Sequence, residues 1–337
     1  MRSGVALQPV YPSARFGDMV ERIETLGFDE FWLTDSSLHS KYSYMYLAIA
    51  ALRTRRMTVG NAVTNPLTRH PALGAVGAAT LQEMTGGRAV YGIGVGDRPL
   101  RALGLKPARL AVLEDSIVAA RRLWAGETVT WKANGFELDA AHLRYDVPTD
   151  IPVYVSASGP RTLELAGRIA DGVVILAGLH PDGIGYALEH LDRGAAAAGR
   201  PRPKVTVFAY GAINEDEDVA LAQARSIAAW FPQTAPVYCE LAGLSKELVQ
   251  QVRETYAGGE FQEAAAAARL LPDDFVRRMA LAGNRASVVG QLASLDGLGV
   301  DCVSIFPIGG DVDTKMASVA TFAECFAELS AGPRRAG

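Results

Sequence analysis

The feature that most constrains this chain is a series of eight short, continuous apolar runs separated by longer stretches of helical periodicity. They are Val5 to Leu7, Phe31 to Leu33, Met57 to Val63, Ala89 to Gly94, Val153 to Ala157, Val173 to Leu176, Val205 to Tyr210 and Val303 to Phe306. A strand with one wet face alternates apolar and polar residues, whereas a strand covered on both faces is apolar throughout. Continuous runs therefore predict a parallel sheet enclosed by helices, and eight of them predict closure into an α/β fold of the (β/α)8 TIM-barrel type.

The joints support that reading. Leu26-Gly27-Phe28-Asp29 and Leu298-Gly299-Val300-Asp301 place a glycine after a helix and an apolar run next, and Ile169-Ala170-Asp171-Gly172 is a near variant. Glycine accepts the left-handed conformation at a helix end, so these are read as helix-to-strand joints. Amphipathic stretches Ala14 to Leu26, Leu110 to Trp124, Pro160 to Ile169 and Asp216 to Trp230 supply outer helices. Asn214 with the acids at 215–218 reads as a capped helix start.

The 337 residues, 49% of them hydrophobic, suffice for one decorated barrel spanning 1–337. Three stretches break the repeat. The segment 97–107 is rich in Gly and Pro, and Pro99, Gly104 and Pro107 argue against an immediate helix; 126–151 reads as a hairpin insertion turning at Asn134-Gly135; 232–283 reads as a helical insertion after the seventh strand.

The net charge of −4, with no long run of Lys or Arg, argues against a nucleic-acid or membrane partner and leaves a small-molecule substrate as the expectation. Met1 to Pro9 holds no apolar stretch of signal-peptide length and no segment approaches the ~20 apolar residues that cross a bilayer, so a cytoplasmic location is expected. Cys239, Cys302 and Cys325 lack paired spacing and read as buried apolar residues; the five histidines show no ligand spacing, so no metal is expected.

Active sites of parallel barrels lie where the strands end. There the chain carries Thr34-Asp35-Ser36-Ser37, Thr64-Asn65-Pro66, Gly92-Ile93-Gly94-Val95-Gly96-Asp97 and Ser156-Ala157-Ser158-Gly159-Pro160. Asp97 stands where a dinucleotide fingerprint needs its third glycine, so a close backbone approach to a flat ring is the better reading of the fourth strand. Ser158-Gly159-Pro160 opens a helix with free amides suited to an anion, and Arg161 adds charge. His70 reads as packing or capping, while His39 lies close in sequence to Asp35 and is expected to face the mouth. No G-x-S-x-G elbow and no Cys with a basic partner is present, which points to a bound cofactor doing the hard chemistry.

The stretches Gly60 to Pro71, Thr85 to Asp97, Pro152 to Pro160 and Ala166 to Gly172 together resemble the bacterial-luciferase-like oxidoreductases, nearest to the methylenetetrahydromethanopterin reductase-like branch. The resemblance covers most of residues 3–180 and returns weakly at 283–311. It implies FMN or the deazaflavin coenzyme F420 at the barrel mouth, backed by a cis peptide that maps to Ala62-Val63. It places Asp35 and Asp97 near the ring, with Val95, Gly96, Ser158 and Gly159 along the cofactor's chain and phosphate. Thr64, Asn65, Gly94, Ser156 and Arg161 complete the expected cofactor-binding set, and Asp35, Asp97, Ser36 and His39 the expected catalytic set. In the family's sugar-phosphate and alcohol dehydrogenases a catalytic His follows the Asp after the second strand; this chain has Ser36 there.

The leading expectation is an F420-dependent reductase passing hydride to a C=C, C=N or methylene-iminium carbon, with Asp97 or Asp35 helping a proton move. Two readings stay open beside it: a two-component FMN-dependent monooxygenase supplied by a partner flavin reductase, and a non-catalytic flavin-binding protein. The family implies a homodimer.

Overall fold

Each apolar run becomes a strand of one sheet in the computed structural model, which describes residues 1–133, 135–147, 150–257 and 261–331. In chain order the strands are β1 (Arg2–Leu7), β2 (Glu30–Leu33), β3 (Thr58–Asn61), β4 (Ala89–Ile93), β5 (Val129–Ala133), β6 (Phe136–Ala141), β7 (Val153–Ser156), β8 (Gly172–Ile175), β9 (Lys204–Ile213), β10 (Leu281–Gly283) and β11 (Cys302–Pro307). β11-β1-β2-β3-β4-β7-β8-β9 pair in parallel and β9 closes on β11, giving the expected eight-stranded barrel wrapped by helices.

The helix Ser13–Thr25 shows how sequence spacing becomes packing: Phe16, Met19, Val20 and Ile23 recur at helical intervals and are the residues it buries. Gly27 (φ 98°) and Gly299 (φ 88°) are left-handed after their helices, as the joints predicted. The third joint differs. Ala170 ends its helix in an extended conformation, and Gly172 serves another purpose: a side chain there would strike the Tyr154 ring inside the barrel.

That interior is filled by alternating large and small residues. The Trp32 ring lies over Gly60, 5.5 Å from Tyr154 and 6.0 Å from Phe208. Near the amino ends of the strands the buried Glu30 accepts from Trp32 Nε1 (2.9 Å) and Thr206 Oγ1 (3.3 Å) and pairs with Arg2 (3.1 Å). Burial and the Glu30 charge raise the Tyr154 phenol and the Cys302 thiol well above their ordinary pKa values.

β5 and β6 form the antiparallel hairpin expected within 126–151; Asn134, expected in its turn, lies outside the described residues. The insertion after β9 is a series of short helices between Phe231 and Met279, but it does not stay helical to Gly283. Leu281–Gly283 extends the sheet as β10, parallel to the far end of β9, because the triplet is buried where Gly211, Ala212 and Ile213 offer backbone partners. A short helix, Arg98–Ala102, follows Asp97 directly, against the expectation from Pro99. Proline at a first-turn position loses no helical bond, since those amides have no partner inside the helix. The helix after β9 is capped by Asp216, with Asn214 Oδ1 accepting from Asp216 N one step earlier (3.0 Å). Among the described residues no helix is long and apolar enough to cross a membrane, and no group of three or more His, Cys, Asp or Glu could hold a metal.

Candidate active site

A cavity of about 280 Å³ opens at the carboxyl ends of the barrel strands. It lies just below the ~300–1,000 Å³ usual for small-molecule sites, a volume that suits flat rings rather than a whole coenzyme. Ten of the residues singled out in the sequence line it: Asp35, Ser36, Ala62, Val63, Asn65, Gly94, Val95, Gly96, Asp97 and Ser156.

The β3 end is fixed from several sides. The Ala62-Val63 peptide bond is cis, and both residues line the cavity. Asn61 Oδ1 accepts from Gly92 N (3.2 Å), and Thr64 N donates to Gly92 O (3.0 Å) while Thr64 O accepts from Gly94 N (2.9 Å). Asn65 Oδ1 accepts from Leu67 N (3.0 Å) and Thr68 N (2.9 Å), holding the following turn. Gly96 is left-handed (φ 80°), a conformation a larger residue would resist. The result is a shallow wall of backbone and small side chains.

Asp35 is buried and committed. Its carboxylate takes Arg69 Nη1 and Nη2, the second at 3.0 Å, and Ser43 Oγ at 2.8 Å. Arg69 also donates to Thr64 Oγ1 (3.0 Å) and lies between the Tyr42 and Tyr44 rings, 4.7 and 4.9 Å from their centroids. Burial opposes the charged guanidinium, but the hydrogen bonds and charge of Asp35 outweigh it and raise the Arg69 pKa above its ordinary value. Asp35 is thus held by three donors, two of them from one guanidinium, and is a poor vehicle for a moving proton. Asp97, by contrast, is exposed at the mouth and caps no helix amide with its side chain.

Five expected site residues lie outside the cavity lining. His39 is exposed beyond it; the chain turns at Leu38 (φ 71°), and the His39 backbone is tied to Ser36 O (3.1 Å) and Gln8 Nε2 (3.0 Å). Ser158, Gly159 and Arg161 lie after β7, at the start of the helix Pro160–Ile169. Thr64 is buried behind the wall. His70 caps the helix Pro71–Thr85 through Nδ1, and its Nε2 meets Glu137 O at 3.1 Å.

Sequence reasoning missed Gln8 and the apolar side of the cavity: Val174, Leu176, Phe208, Tyr210, Trp230 and Phe306. Gln8 was detectable as the polar residue ending the first apolar run. The aromatic residues carried no such signal, because within continuous apolar runs they look like ordinary core. Thr34 opens the polar stretch after the second strand, yet its importance is visible only in three dimensions: its Oγ1 is buried in the cavity wall with no hydrogen-bond partner. Such orphans are uncommon and mark places where a ligand atom can complete the bonding. Gly159 gives a second indication, since its φ is ordinary (−80°) and an added Cβ would project into open space, so nothing in the fold demands glycine there. A ring in the cavity and a chain leaving over Gly159 fit both observations.

The profile of the luciferase-like monooxygenase family matches residues 2–302. The chain is 32% identical to a 5,10-methylenetetrahydromethanopterin reductase of Archaeoglobus fulgidus, over 92% of this chain and 95% of that one. It is 34% identical to an F420-dependent glucose-6-phosphate dehydrogenase of Microbacterium testaceum over 62% of this chain and 66% of the relative. Among solved structures, the coenzyme F420-dependent tetrahydromethanopterin reductase of Methanopyrus kandleri superposes with a TM-score of 0.84 at 26% identity, covering 96% of this chain and 97% of that one. A barrel with its cavity at the strand ends, a cis peptide after β3 and a match along nearly the whole length lead to one conclusion: the chain belongs to the luciferase-like monooxygenase family.

Proposed function

We propose that this protein is an F420-dependent oxidoreductase acting as a reductase on a small organic acceptor. The observation that carries the reading is the shallow wall of Ala62, Val63, Gly94, Val95, Gly96 and Ser156 facing a cavity with an unpartnered Thr34 hydroxyl, in a chain that superposes along nearly its whole length on a coenzyme F420-dependent tetrahydromethanopterin reductase. The chemistry a deazaflavin supplies there is hydride transfer from its C5 to an electron-poor carbon.

The chain's own residues bind, orient and protonate. The cis segment and the glycines after β4 offer one flat face of backbone against which a ring can lie, and Thr34 Oγ1 offers it a hydrogen bond. Because the cavity holds little more than rings, a coenzyme's chain leaves over the rim, where Ser158, Gly159 and the amides opening the helix Pro160–Ile169 receive phosphate and Arg161 adds positive charge. Ser36, in the lining, has no basic nitrogen to take a proton from an alcohol, which favours reduction over alcohol oxidation. Asp97, exposed at the mouth, is the group placed to relay a proton from solvent to the reduced acceptor, since Asp35 is occupied by Arg69 and Ser43. We place the enzyme in the cytoplasm and infer a homodimer, supported by exposed Met45, Leu52 and Leu73 on the adjacent helices Ser43–Arg53 and Pro71–Thr85.

Equilibrium titration of the purified protein with F420 and, separately, with FMN tests the reading. Micromolar or tighter F420 binding with FMN at least tenfold weaker is expected. The opposite preference would replace hydride transfer with oxygen-dependent monooxygenation fed by a partner flavin reductase.

A further inference from the structure

We propose that the acceptor is a flat, conjugated molecule without anionic groups, held on the aromatic side of the cavity by Phe208, Tyr210, Trp230 and Phe306. This inference deepens the reductase reading and rests on it. The cavity has two unlike sides. β3, β4 and β7 contribute glycines, a serine and short aliphatic side chains; across the barrel mouth, β9 and β11 contribute aromatic rings. Tyr210 lies 5.4 Å from Phe306 at 58° and 6.5 Å from Trp230 at 78° between ring planes, so the rings form one connected surface. Offset and edge-on ring arrangements at these separations are the ones aromatic groups favour, and a conjugated guest extends the same packing.

Charge points the same way. Among the described residues the lining contains neither Lys nor Arg, and its acidic side chains are Asp35, paired with Arg69, and the exposed Asp97. A sugar phosphate inside the cavity would lose its hydration without meeting a cation among the described lining residues and would approach a carboxylate. A flat, uncharged acceptor meets neither cost. In the reaction one carbon of its C=C or C=N bond gains the hydride with both electrons, the other atom gains a proton from the Asp97 side, and the coenzyme is left oxidised.

The test uses coumarin as the flat probe and glucose 6-phosphate as the anionic one, titrated by calorimetry into wild-type protein saturated with oxidised coenzyme, so that nothing turns over. Coumarin is expected to bind at least a hundredfold more tightly than glucose 6-phosphate. Phe306→Leu and Tyr210→Leu, which keep apolar bulk and remove the ring, are each expected to weaken coumarin about tenfold while moving coenzyme affinity less than twofold. Comparable or tighter binding of glucose 6-phosphate, unchanged coumarin affinity in both variants, or equal losses of coumarin and coenzyme would overturn the proposal. If wild-type protein fails to bind F420, the reductase reading is lost by itself, and coumarin binding to coenzyme-free wild type and variants still decides the role of the aromatic side.

Discussion

The two ends of the barrel interior are built from the same eight strands and each holds a buried carboxylate on or just after β2, yet their surroundings differ. At the amino end Glu30 is bonded to Trp32, Thr206 and Arg2, and large rings fill the space above it. At the carboxyl end Asp35 is also paired, but next to it Thr34 Oγ1 has no partner, Asp97 is exposed, and a cavity remains. The difference teaches where binding energy is still available. A filled, satisfied interior serves stability, and groups left without partners mark where a ligand can contribute.

Substitutions can break that contrast. The largest effect is expected from Trp32→Ala, which empties the filled end and should cost about 3–5 kcal/mol of unfolding free energy in denaturant titrations; a cost below ~1 kcal/mol would mean that this end is not a packed plug. Arg69→Met strands the Asp35 charge and should cost about 3 kcal/mol, with Asp35→Asn added to it restoring part of the loss. Asp97→Asn should leave stability within ~0.5 kcal/mol but slow single-turnover reduction by roughly 100-fold, and an unchanged rate would remove Asp97 from proton delivery. Thr34→Val sharpens the contrast from the ligand side: stability holds or rises, while coenzyme binding weakens by about 0.5–1.5 kcal/mol.

The smallest effect concerns pH. His180 caps the helix Pro181–Ala197 by accepting from Gly183 N, and burial lowers its pKa below the ordinary histidine value. The folded protein therefore binds this proton less readily than the unfolded chain does. Its neutral form is fully compatible with folding above about pH 6.5, and stability is lost as pH falls below that value. Melting temperatures from pH 7.5 to 5.5 should fall less steeply in His180→Asn, which keeps a capping oxygen; parallel curves would show that other groups dominate.

The barrel was legible because burial on both faces leaves continuous apolar runs. The same property hid what lies inside it: Phe31 and Trp32 are adjacent and equally apolar, yet they point to opposite faces of β2, and no local signal tells helix-facing from interior residues. Phe208, Tyr210 and Phe306 went unrecognised for that reason, whereas Asp35, Asp97 and the glycines after β4 stood out as polar or small residues at the ends of apolar runs. β10 was missed because three residues are too few for periodicity to register. The role of Asp35 depends on Arg69, 34 positions away, a pairing that only the closed barrel creates.

Arg69 has a practical implication for handling the protein. Its guanidinium reaches Asp35 and Thr64 on the cavity side and is stacked on Tyr42, whose ring is exposed on the outer face. Tethering the protein to a support, or attaching a dye, through the Tyr42 ring would therefore tug on the mouth of the barrel. Anchoring points belong instead on residues that make no contact with Arg69, such as the exposed Glu247 and Gln250 of the helix Lys246–Thr255.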